Sequence, residues 1–222
     1  KVVGKHIGGY TAFSFDITEN VIFDDKENYN SITVKVDNSF NKNIPPLSAD
    51  YTFYGGIYRD VWLIATNPLH FSLNDHGSKA IYVSTPKVTN SKATVKVKGV
   101  INNRFNSNKT VTIKSTILDN DNNIVIEVEQ KKKIKSNKNF EFNFDNLVVN
   151  NPKLWSPDNP NLYSVKTEIF YKKELIDQVV STLGFRYFSF DAEKGFFLNG
   201  EHLKLIGTNR HQDYENLGNA LS

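Results

Sequence analysis

Six consecutive polar residues near the end of the chain carry the side chains best suited to chemistry. Thr208 to Asp213 bring together a hydroxyl, two amides, a guanidinium, an imidazole and a carboxylate. They follow Gly207 and the apolar run Leu203 to Ile206, which predicts a short buried strand. Polar groups at the C-terminal end of a buried strand are what a (β/α)8 barrel places at its active-site mouth. The alternative is a polar turn that merely leaves a strand, since loops are often polar.

A tight hairpin is predicted just before this strand. Asn199-Gly200 lies between the apolar runs Phe196 to Leu198 and Leu203 to Ile206. Asn-Gly favours a two-residue hairpin because both residues tolerate a positive φ. The sequence therefore predicts a hairpin that leads directly into the strand before the polar residues.

The composition excludes several classes of site and partner. The chain has 222 residues, 27 of them basic and 24 acidic, and this balance argues against nucleic acid or a membrane as the main partner. The absence of cysteine excludes disulfides, thiolate metal sites and thiol nucleophiles. No apolar run reaches the length of a membrane span. Because the sequence contains no methionine, we expect that Lys1 is not the natural N-terminus.

The middle of the chain has the pattern of an immunoglobulin-like β-sandwich. Between residues 70 and 187, apolar and polar residues alternate with period two in a series of short segments. About seven antiparallel strands in a segment of this length are typical of such a sandwich, even without its cysteine pair. The clearest strands are predicted at 93–98, 111–117, 124–129, 140–145, 163–169 and 175–183.

One segment of the sandwich begins like a calcium-binding loop. Asp119 to Asn123 alternates carboxylate and amide side chains. However, Ile124 stands where that loop needs glycine, and Gln130 stands where it needs glutamate. The sequence therefore predicts a hairpin turn.

The first part of the chain also alternates in strand fashion. Residues 13–18 and 32–37 predict half-buried strands, and a third strand is predicted at 57–65. Gly55-Gly56, before the third strand, predicts a bulge or a close backbone approach. Arg59 and Asp60 are polar between apolar neighbours in that strand. On pattern alone they are an ion pair or a surface pair.

Several of these motifs together resemble glycoside hydrolase family 2, the family that contains the large bacterial β-galactosidases. Leu198 to Gly200, followed by Gly207 to Asp213 and then Gly218 to Ser222, is similar to the family's entry into its catalytic barrel. Further resemblances lie earlier, at Gly4 to Thr18 and Tyr54 to Leu63 for the sugar-binding jelly roll, and at Leu154 to Tyr163 and Gly184 to Arg186 for the sandwich domain. The matches follow the family's order and cover nearly the whole chain.

The resemblance implies an all-β chain, with the immunoglobulin-like sandwich flanked by a partial jelly roll and the first strand of a (β/α)8 barrel. Residues 1–69 would be the C-terminal part of the sugar-binding jelly roll, 70–187 the sandwich, and 188–222 a truncated entry to the catalytic TIM barrel. A jelly roll needs about eight strands, and a barrel about 250 residues. We therefore expect the chain to start inside the first domain and to end inside the third.

The resemblance also implies roles for particular residues. Asp60 would contact the 6-hydroxyl side of the sugar and a monovalent cation, and His211 would contact the galactosyl ring. Asn209 and Arg210 would hold the loop. Both catalytic glutamates of the family would lie beyond Ser222, so no catalytic residue is predicted in this chain. Asp213, although close to Glu215, is not predicted to be catalytic.

The implied function is that of a retaining β-galactosidase in carbohydrate metabolism, of which this chain alone would be an inactive piece. Sodium and magnesium are cofactors that the resemblance implies for the parent enzyme. β-Galactoside sugars and the remaining domains of the enzyme are the implied partners, with a homo-oligomer left open. The compartment, bacterial cytoplasm or periplasm, also stays open. The alternative function is a non-catalytic β-sandwich module for carbohydrate binding or adhesion, because a fold does not fix a function.

Overall fold

All the regular structure of the chain is β, apart from one turn of 3-10 helix at Thr18–Asn20. The structure is a computed structural model that describes residues 1–23, 29–48, 51–211 and 213–221. The chain divides into two compact units, Ala65–Ile206, here called the sandwich unit, and Lys1–Ile64 with Gly207–Ser222, here called the split unit. In the described ranges, no helix has the length and apolar character needed to cross a membrane.

The sandwich unit contains all the strands assigned in the described residues. They are β1 (Leu69–Phe71), β2 (Ile81–Val88), β3 (Lys92–Asn103), β4 (Lys109–Leu118), β5 (Ile124–Ile134), β6 (Lys138–Asn150), β7 (Tyr163–Tyr171), β8 (Glu174–Leu183), β9 (Phe188–Asp191), β10 (Gly195–Leu198) and β11 (Glu201–His202).

Two antiparallel sheets form the sandwich. In the first sheet β3 is central, with β6 along one edge and with β2 and β1 along the other. The second sheet has the order β5-β4-β7-β8. The predicted immunoglobulin-like sandwich is confirmed, and each of its six clearest predicted strands lies within β3, β4, β5, β6, β7 or β8.

The core lies between the inward faces of the two sheets. Alternate residues of β3 and β4, such as Val95, Val97, Val111 and Ile113, are fully buried, as the period-two pattern predicts for a strand with one face on a core. The buried side chains of both sheets form one hydrophobic cluster, which also includes Phe185. The sandwich is therefore stabilised mainly by apolar burial.

A buried asparagine joins two neighbouring loops at one end of the sandwich. Asn103 is only 1% exposed. Its Nδ2 donates to the carbonyl oxygens of Ser107, Ile134 and Lys135 at 3.1, 3.2 and 3.0 Å, and its Oδ1 accepts from the backbone N–H of Phe105 at 3.1 Å. One side chain thus provides hydrogen bonds to backbone groups that water would otherwise have to satisfy.

Replacing Asn103 by alanine is expected to lower the free energy of unfolding by about 2–3 kcal/mol, because buried backbone groups lose their partner. Urea unfolding followed by Trp155 fluorescence, in a Trp62→Phe background, measures this change. Asn139→Ala is the matched control, since Asn139 is exposed on β6, and its effect should stay within about 0.5 kcal/mol. Equal effects of the two variants would contradict a special role for Asn103.

The turn between β4 and β5 is organised by one carboxylate. Asp119 Oδ1 accepts from the backbone N–H groups of Asp121 and Asn123, both at 2.9 Å, and Asn122 has a φ of 62°. This is the predicted hairpin turn in place of a calcium loop. The backbone N–H and side-chain amide of Asn123 lower the pKa of Asp119 below its ordinary value, with smaller contributions from the Asp121 N–H and Lys153.

We expect Asp119→Ala to destabilise the sandwich at pH 6 and to lose this effect in acid. Because the folded state lowers the pKa of Asp119, the carboxylate stabilises the fold above its unfolded-state pKa of about 3.9. That stabilisation disappears as the pH falls through the lower folded-state pKa. The difference between the urea midpoints of wild type and variant should therefore stay constant above the unfolded-state pKa and shrink as the pH falls below about 3.9. Asp121→Ala, in the same turn, serves as the control, and a difference that does not shrink at all in acid would exclude the carboxylate as its cause.

A small third sheet, in the order β11-β10-β9, contains the predicted Asn199-Gly200 hairpin. Leu198 pairs with Glu201, and the two turn residues have φ values of 56° and 87°, so this prediction is confirmed. The Asn199 side chain also accepts from the Tyr187 N–H at 3.1 Å and donates to the Trp155 carbonyl at 2.9 Å. The turn is therefore joined to the segment Leu154 to Tyr163, which contains Trp155.

Four predicted strands are wrong. Leu203 to Ile206 is not a strand, and Leu205 and Ile206 are 67% and 87% exposed. The segments 13–18, 32–37 and 57–65 are likewise not assigned as strands. Alternation determines which face a side chain lies on, but a strand also needs a neighbour to pair with its backbone groups. In the described ranges, no strand ladder provides such a neighbour for these four segments.

Candidate functional site

The two segments that carry the predicted sugar ligands lie in the same compact unit. The first segment, 51–60, ends at Asp60, and the second, 207–221, contains Asn209, Arg210 and His211. Both segments belong to the split unit. They are distant in sequence, since the contact between Arg59 and Asn219 joins residues 160 positions apart. The fold therefore brings Asp60 and His211 into one unit without a shared strand ladder.

Arg59 bonds to the second segment through its guanidinium group. Its Nη1 donates to the carbonyl oxygen of Asn219 at 3.0 Å and to that of Tyr58 at 3.1 Å. The guanidinium carbon lies 5.0 Å from the ring centroid of Tyr58, within range of a cation–π interaction. The side chain thus contacts both segments at once.

Arg59 and Asp60 are both exposed and form no ion pair in the described part of the chain, so of the two predicted alternatives the ion pair is wrong and both residues lie at the surface. The guanidinium hydrogen-bonds to backbone carbonyls instead. Within the same described ranges, no hydrogen bond to the Asp60 carboxylate is observed. That carboxylate can therefore accept hydrogen bonds from a ligand.

His211 contacts an aromatic residue of the first segment. Its ring lies edge-on to Tyr51, with centroids 6.0 Å apart and an interplanar angle of 64°. Tyr51 is in turn edge-on to Phe53 at 5.3 Å. Such edge-to-face pairs are attractive beyond the area that they bury. The His211 side chain is exposed, and this ring contact joins it to the first segment.

Tyr10 belongs to the same aromatic group. Tyr10 is 60% exposed, yet its pKa is raised above the ordinary value. The largest cause is partial desolvation of its hydroxyl, and smaller contributions come from a hydrogen bond with Tyr51 and from the nearby Tyr58 hydroxyl. The Tyr10 phenol thus lies close to two phenols of the first segment, Tyr51 and Tyr58. This gives the site a cluster of hydroxyl groups of the kind that hydrogen-bond to polar ligands.

A tight turn follows His211 and lies against Tyr54. Gly218 N–H donates to the Tyr214 carbonyl at 2.8 Å, and the Tyr214 N–H donates to the Gly218 carbonyl at 3.2 Å. Gly218 has a φ of 54°, and a Cβ atom there would lie 2.9 Å from Cε1 of Tyr54. Only glycine fits this position without a shift of the ring.

The other predicted site residues make fewer contacts. Asn209 and Arg210 are exposed, and in the described ranges their side chains form no hydrogen bond or ion pair. Only the Asn209 carbonyl accepts, from the Thr208 hydroxyl at 3.5 Å. Their role in holding the loop therefore stays a prediction. Gln212 lies outside the described residues. Asp213 and Glu215 are exposed at the turn.

The described residues do not fit the metals that the resemblance implies. None of them forms a group of three or more histidine, cysteine, aspartate or glutamate side chains suitable for a metal ion. Asp60 alone supplies one carboxylate, whereas hard cations take several oxygen ligands. Sodium and magnesium therefore stay proposals for the parent protein.

Sequence reasoning missed the residues that join the two segments. No contact was predicted for Tyr51, Tyr54 or Gly218, and Arg59 was predicted to form an ion pair or a surface pair with Asp60. The only signal in the sequence is the aromatic density of Tyr51 to Tyr54 just before Gly55-Gly56. Gly55 itself has the predicted close approach, since a Cβ there would lie 2.9 Å from the Asn38 side chain.

Comparison with known proteins gives a consistent result. Residues 79–186 match the family model described as Glycosyl hydrolases family 2. The chain is 36% identical over 222 residues to a beta-glucuronidase of Bacteroides fragilis, covering all of this chain and 31% of that protein. It is 33% identical over 227 residues to a beta-galactosidase of Thermoanaerobacter pseudethanolicus, covering 99% of this chain and 28% of that protein.

Solved structures give the same result for the fold. A crystal structure of a Bacteroides uniformis beta-glucuronidase is 38% identical and superposes with a TM-score of 0.91, covering all of this chain and 26% of that one. The chain thus spans about a quarter to a third of the length of the relatives it matches. These relatives carry two different activities in their names.

The tyrosine cluster makes a testable prediction. Tyr51→Phe removes the hydroxyl that shares a hydrogen bond with Tyr10, so the pKa of Tyr10 should fall toward the ordinary value of about 10. Titration of the tyrosine ¹³Cζ signals by NMR measures this change. Tyr82→Phe, in the sandwich unit, should leave the Tyr10 titration unchanged. A Tyr10 curve that is identical in wild type and Tyr51→Phe would exclude the hydrogen bond.

Proposed function

Because this chain belongs to glycoside hydrolase family 2, we propose that it forms part of a retaining glycosidase that cleaves terminal β-glycosides, with β-galactosides as its preferred substrates. The observation that carries this proposal is the hydrogen bond from Arg59 to the Asn219 carbonyl. It joins the segment that ends at Asp60 to the segment that contains His211. Asp60 and His211, the two residues proposed to bind the sugar, come from distant parts of the sequence and belong to one compact unit.

In this proposal the two residues bind opposite sides of one sugar. The Asp60 carboxylate accepts a hydrogen bond from the 6-hydroxyl of a galactoside. The His211 imidazole, which is exposed, hydrogen-bonds to a ring hydroxyl. Hydrogen bonds that become stronger as the sugar ring distorts lower the barrier to reaction, because they favour the transition state over the ground state.

The catalytic carboxylates are proposed to lie outside this sequence. A retaining glycosidase needs two carboxyl groups about 5–5.5 Å apart, one as acid/base and one as nucleophile. Asp213 and Glu215 are exposed at a turn, with no rigid element that fixes them as a facing pair. The chain covers only about a quarter to a third of its relatives. We therefore propose that this polypeptide alone is inactive and that the parent's remaining domains complete the enzyme.

The identity of the sugar depends on the charge at Asp60. A β-glucuronide carries a carboxylate where a β-galactoside carries its 6-hydroxyl group. A second carboxylate close to Asp60 would be repelled, whereas a hydroxyl would donate to it. This argument favours β-galactosides. The second candidate, a β-glucuronide, is favoured by the names of two similar proteins, from Bacteroides fragilis and Bacteroides uniformis.

A non-catalytic module for carbohydrate binding or adhesion is the alternative of a different class. The sandwich unit by itself would suit either function, because its apolar residues form a core and carry no chemistry. The contacts between segments 51–60 and 207–221 favour the enzyme, since they hold exposed polar groups at a defined place outside the sandwich.

The sugar assignment can be tested in the full-length protein that contains this chain. We expect Asp60→Asn to lower kcat/KM for p-nitrophenyl β-galactoside by about 10- to 100-fold, the cost of losing a hydrogen bond to a charged group. The value for p-nitrophenyl β-glucuronide should stay constant or rise, because a repulsive charge is removed. Steady-state kinetics on both substrates measure the ratio.

Asp158→Asn, at an exposed turn of the sandwich unit, is the matched control and should leave both rates unchanged. A wild-type enzyme that prefers the glucuronide and loses that activity in Asp60→Asn would overturn the galactoside assignment. A full-length protein that binds sugars but cleaves neither substrate would favour the non-catalytic alternative.

A further inference from the structure

We infer that Tyr54, Arg59 and Gly218 are positioning residues that hold His211 in place relative to Asp60, and that they thereby control which sugar the site accepts. Three contacts, here called the clasp, carry this inference: Tyr51 with His211, Tyr54 with Gly218, and Arg59 with Asn219. The inference that these residues hold the second segment in place depends on these contacts alone. The inference that they control which sugar is accepted rests on the proposed function.

The clasp contacts follow the same order along both segments. Residues 51, 54 and 59 of the first segment contact residues 211, 218 and 219 of the second. Each contact has a different physical nature, namely a ring edge, a close packing against glycine and a hydrogen bond. No strand ladder joins the segments in the described residues. Side chains of the first segment therefore take the place of a ladder in fixing the path of the second.

The hydrogen bond from Arg59 acts on backbone. Its acceptor is the carbonyl oxygen of Asn219, so the contact fixes the chain path itself and is independent of the Asn219 side chain. The same Nη1 also donates to the Tyr58 carbonyl, and the guanidinium lies over the Tyr58 ring. These interactions restrict the rotamer of Arg59, and Asp60 is the next residue. Asp60 thus directly follows the residue to which the second segment is bound.

Gly218 lets the second segment approach Tyr54. A side chain at residue 218 would meet the Tyr54 ring at 2.9 Å and would have to adopt a φ of 54°. The close contact with Tyr54 and the positive φ both make any residue other than glycine unfavourable at position 218. The turn from Tyr214 to Gly218 closes with two backbone hydrogen bonds, so a shift at Gly218 passes to Tyr214, three residues after His211.

The proposed control of sugar selectivity follows from the sensitivity of the catalytic rate to the positions of the sugar-binding groups. A ligand group that moves by about 1 Å can cost a hundredfold in rate. Because Asp60 and His211 lie on different segments, their separation depends on the clasp. A purely structural Arg59 would change stability and leave the discrimination between two sugars as it is. A positioning Arg59 changes that discrimination.

The first experiment measures amide hydrogen exchange in the full chain. In Arg59→Gln and in Gly218→Ala, the amides of residues 213–221 should exchange about three- to tenfold faster, as expected for the loss of one hydrogen bond. Arg59→Lys should restore part of the protection, since lysine keeps a charged donor but lacks the planar fork. Arg186→Gln is the matched control, because Arg186 stacks on Trp155 in the sandwich unit. Unchanged exchange in both clasp variants would overturn the inference.

The second experiment measures kinetics of the full-length protein on β-galactoside and β-glucuronide. Arg59→Gln should change the ratio of the two kcat/KM values by about tenfold or more, with partial rescue in Arg59→Lys. Faster exchange with an unchanged ratio would make the clasp merely structural and overturn its role in sugar selection. A wild-type enzyme that cleaves neither sugar would instead contradict the proposed function. The hydrogen-exchange data alone would then decide whether Arg59 holds the second segment in place.

Discussion

The need of every backbone N–H and C=O group for a hydrogen-bond partner is the constraint on which this structure depends. Strand β3 meets it over most of its length, since it pairs with β6 on one edge and with β2 and β1 on the other. Its two ladders hold its alternate side chains on one face, where Val95 and Val97 are fully buried. The hydrophobic core is therefore a consequence of the pairing as much as of the apolar residues.

The split unit meets the same constraint with side chains. Asn30 accepts from the N–H of Ile22 and donates to its carbonyl, and Asn38 donates to the Phe53 carbonyl. Arg59 donates to the carbonyls of Tyr58 and Asn219. Contacts of this kind are made by single residues, whereas a ladder is made by the backbone of any sequence. The path of the split unit consequently depends on a few individual side chains.

The difference between the sandwich unit and the split unit bears on function. The sandwich unit buries its apolar faces and has its own hairpins, so it forms a scaffold whose residues are occupied with packing. The exposed polar groups proposed to bind sugar, Asp60 and His211, belong to the split unit. The sugar contacts proposed for this chain could therefore change through residues of the split unit without a change in the sandwich core.

The sequence by itself determined the elements whose signals are local. The period-two pattern predicted the sandwich strands, Asn199-Gly200 predicted its hairpin, and the missing glycine and glutamate after Asp119 predicted a turn in place of a calcium loop. Alternation determines the faces of a strand, and a two-residue turn determines its own register. These features need no knowledge of distant residues.

Only the tertiary structure decided which distant groups meet. Alternation at 13–18, 32–37 and 57–65 predicted strands that are not formed, because pairing depends on a neighbour that a local pattern does not contain. Likewise, the pattern left an ion pair or a surface pair open for Arg59 and Asp60, and the Arg59 guanidinium in fact donates to the carbonyl of Asn219, 160 residues away. A backbone carbonyl has the same chemistry at every residue, so no side-chain pattern could have identified this acceptor. Its selection depends on the path of the chain in three dimensions.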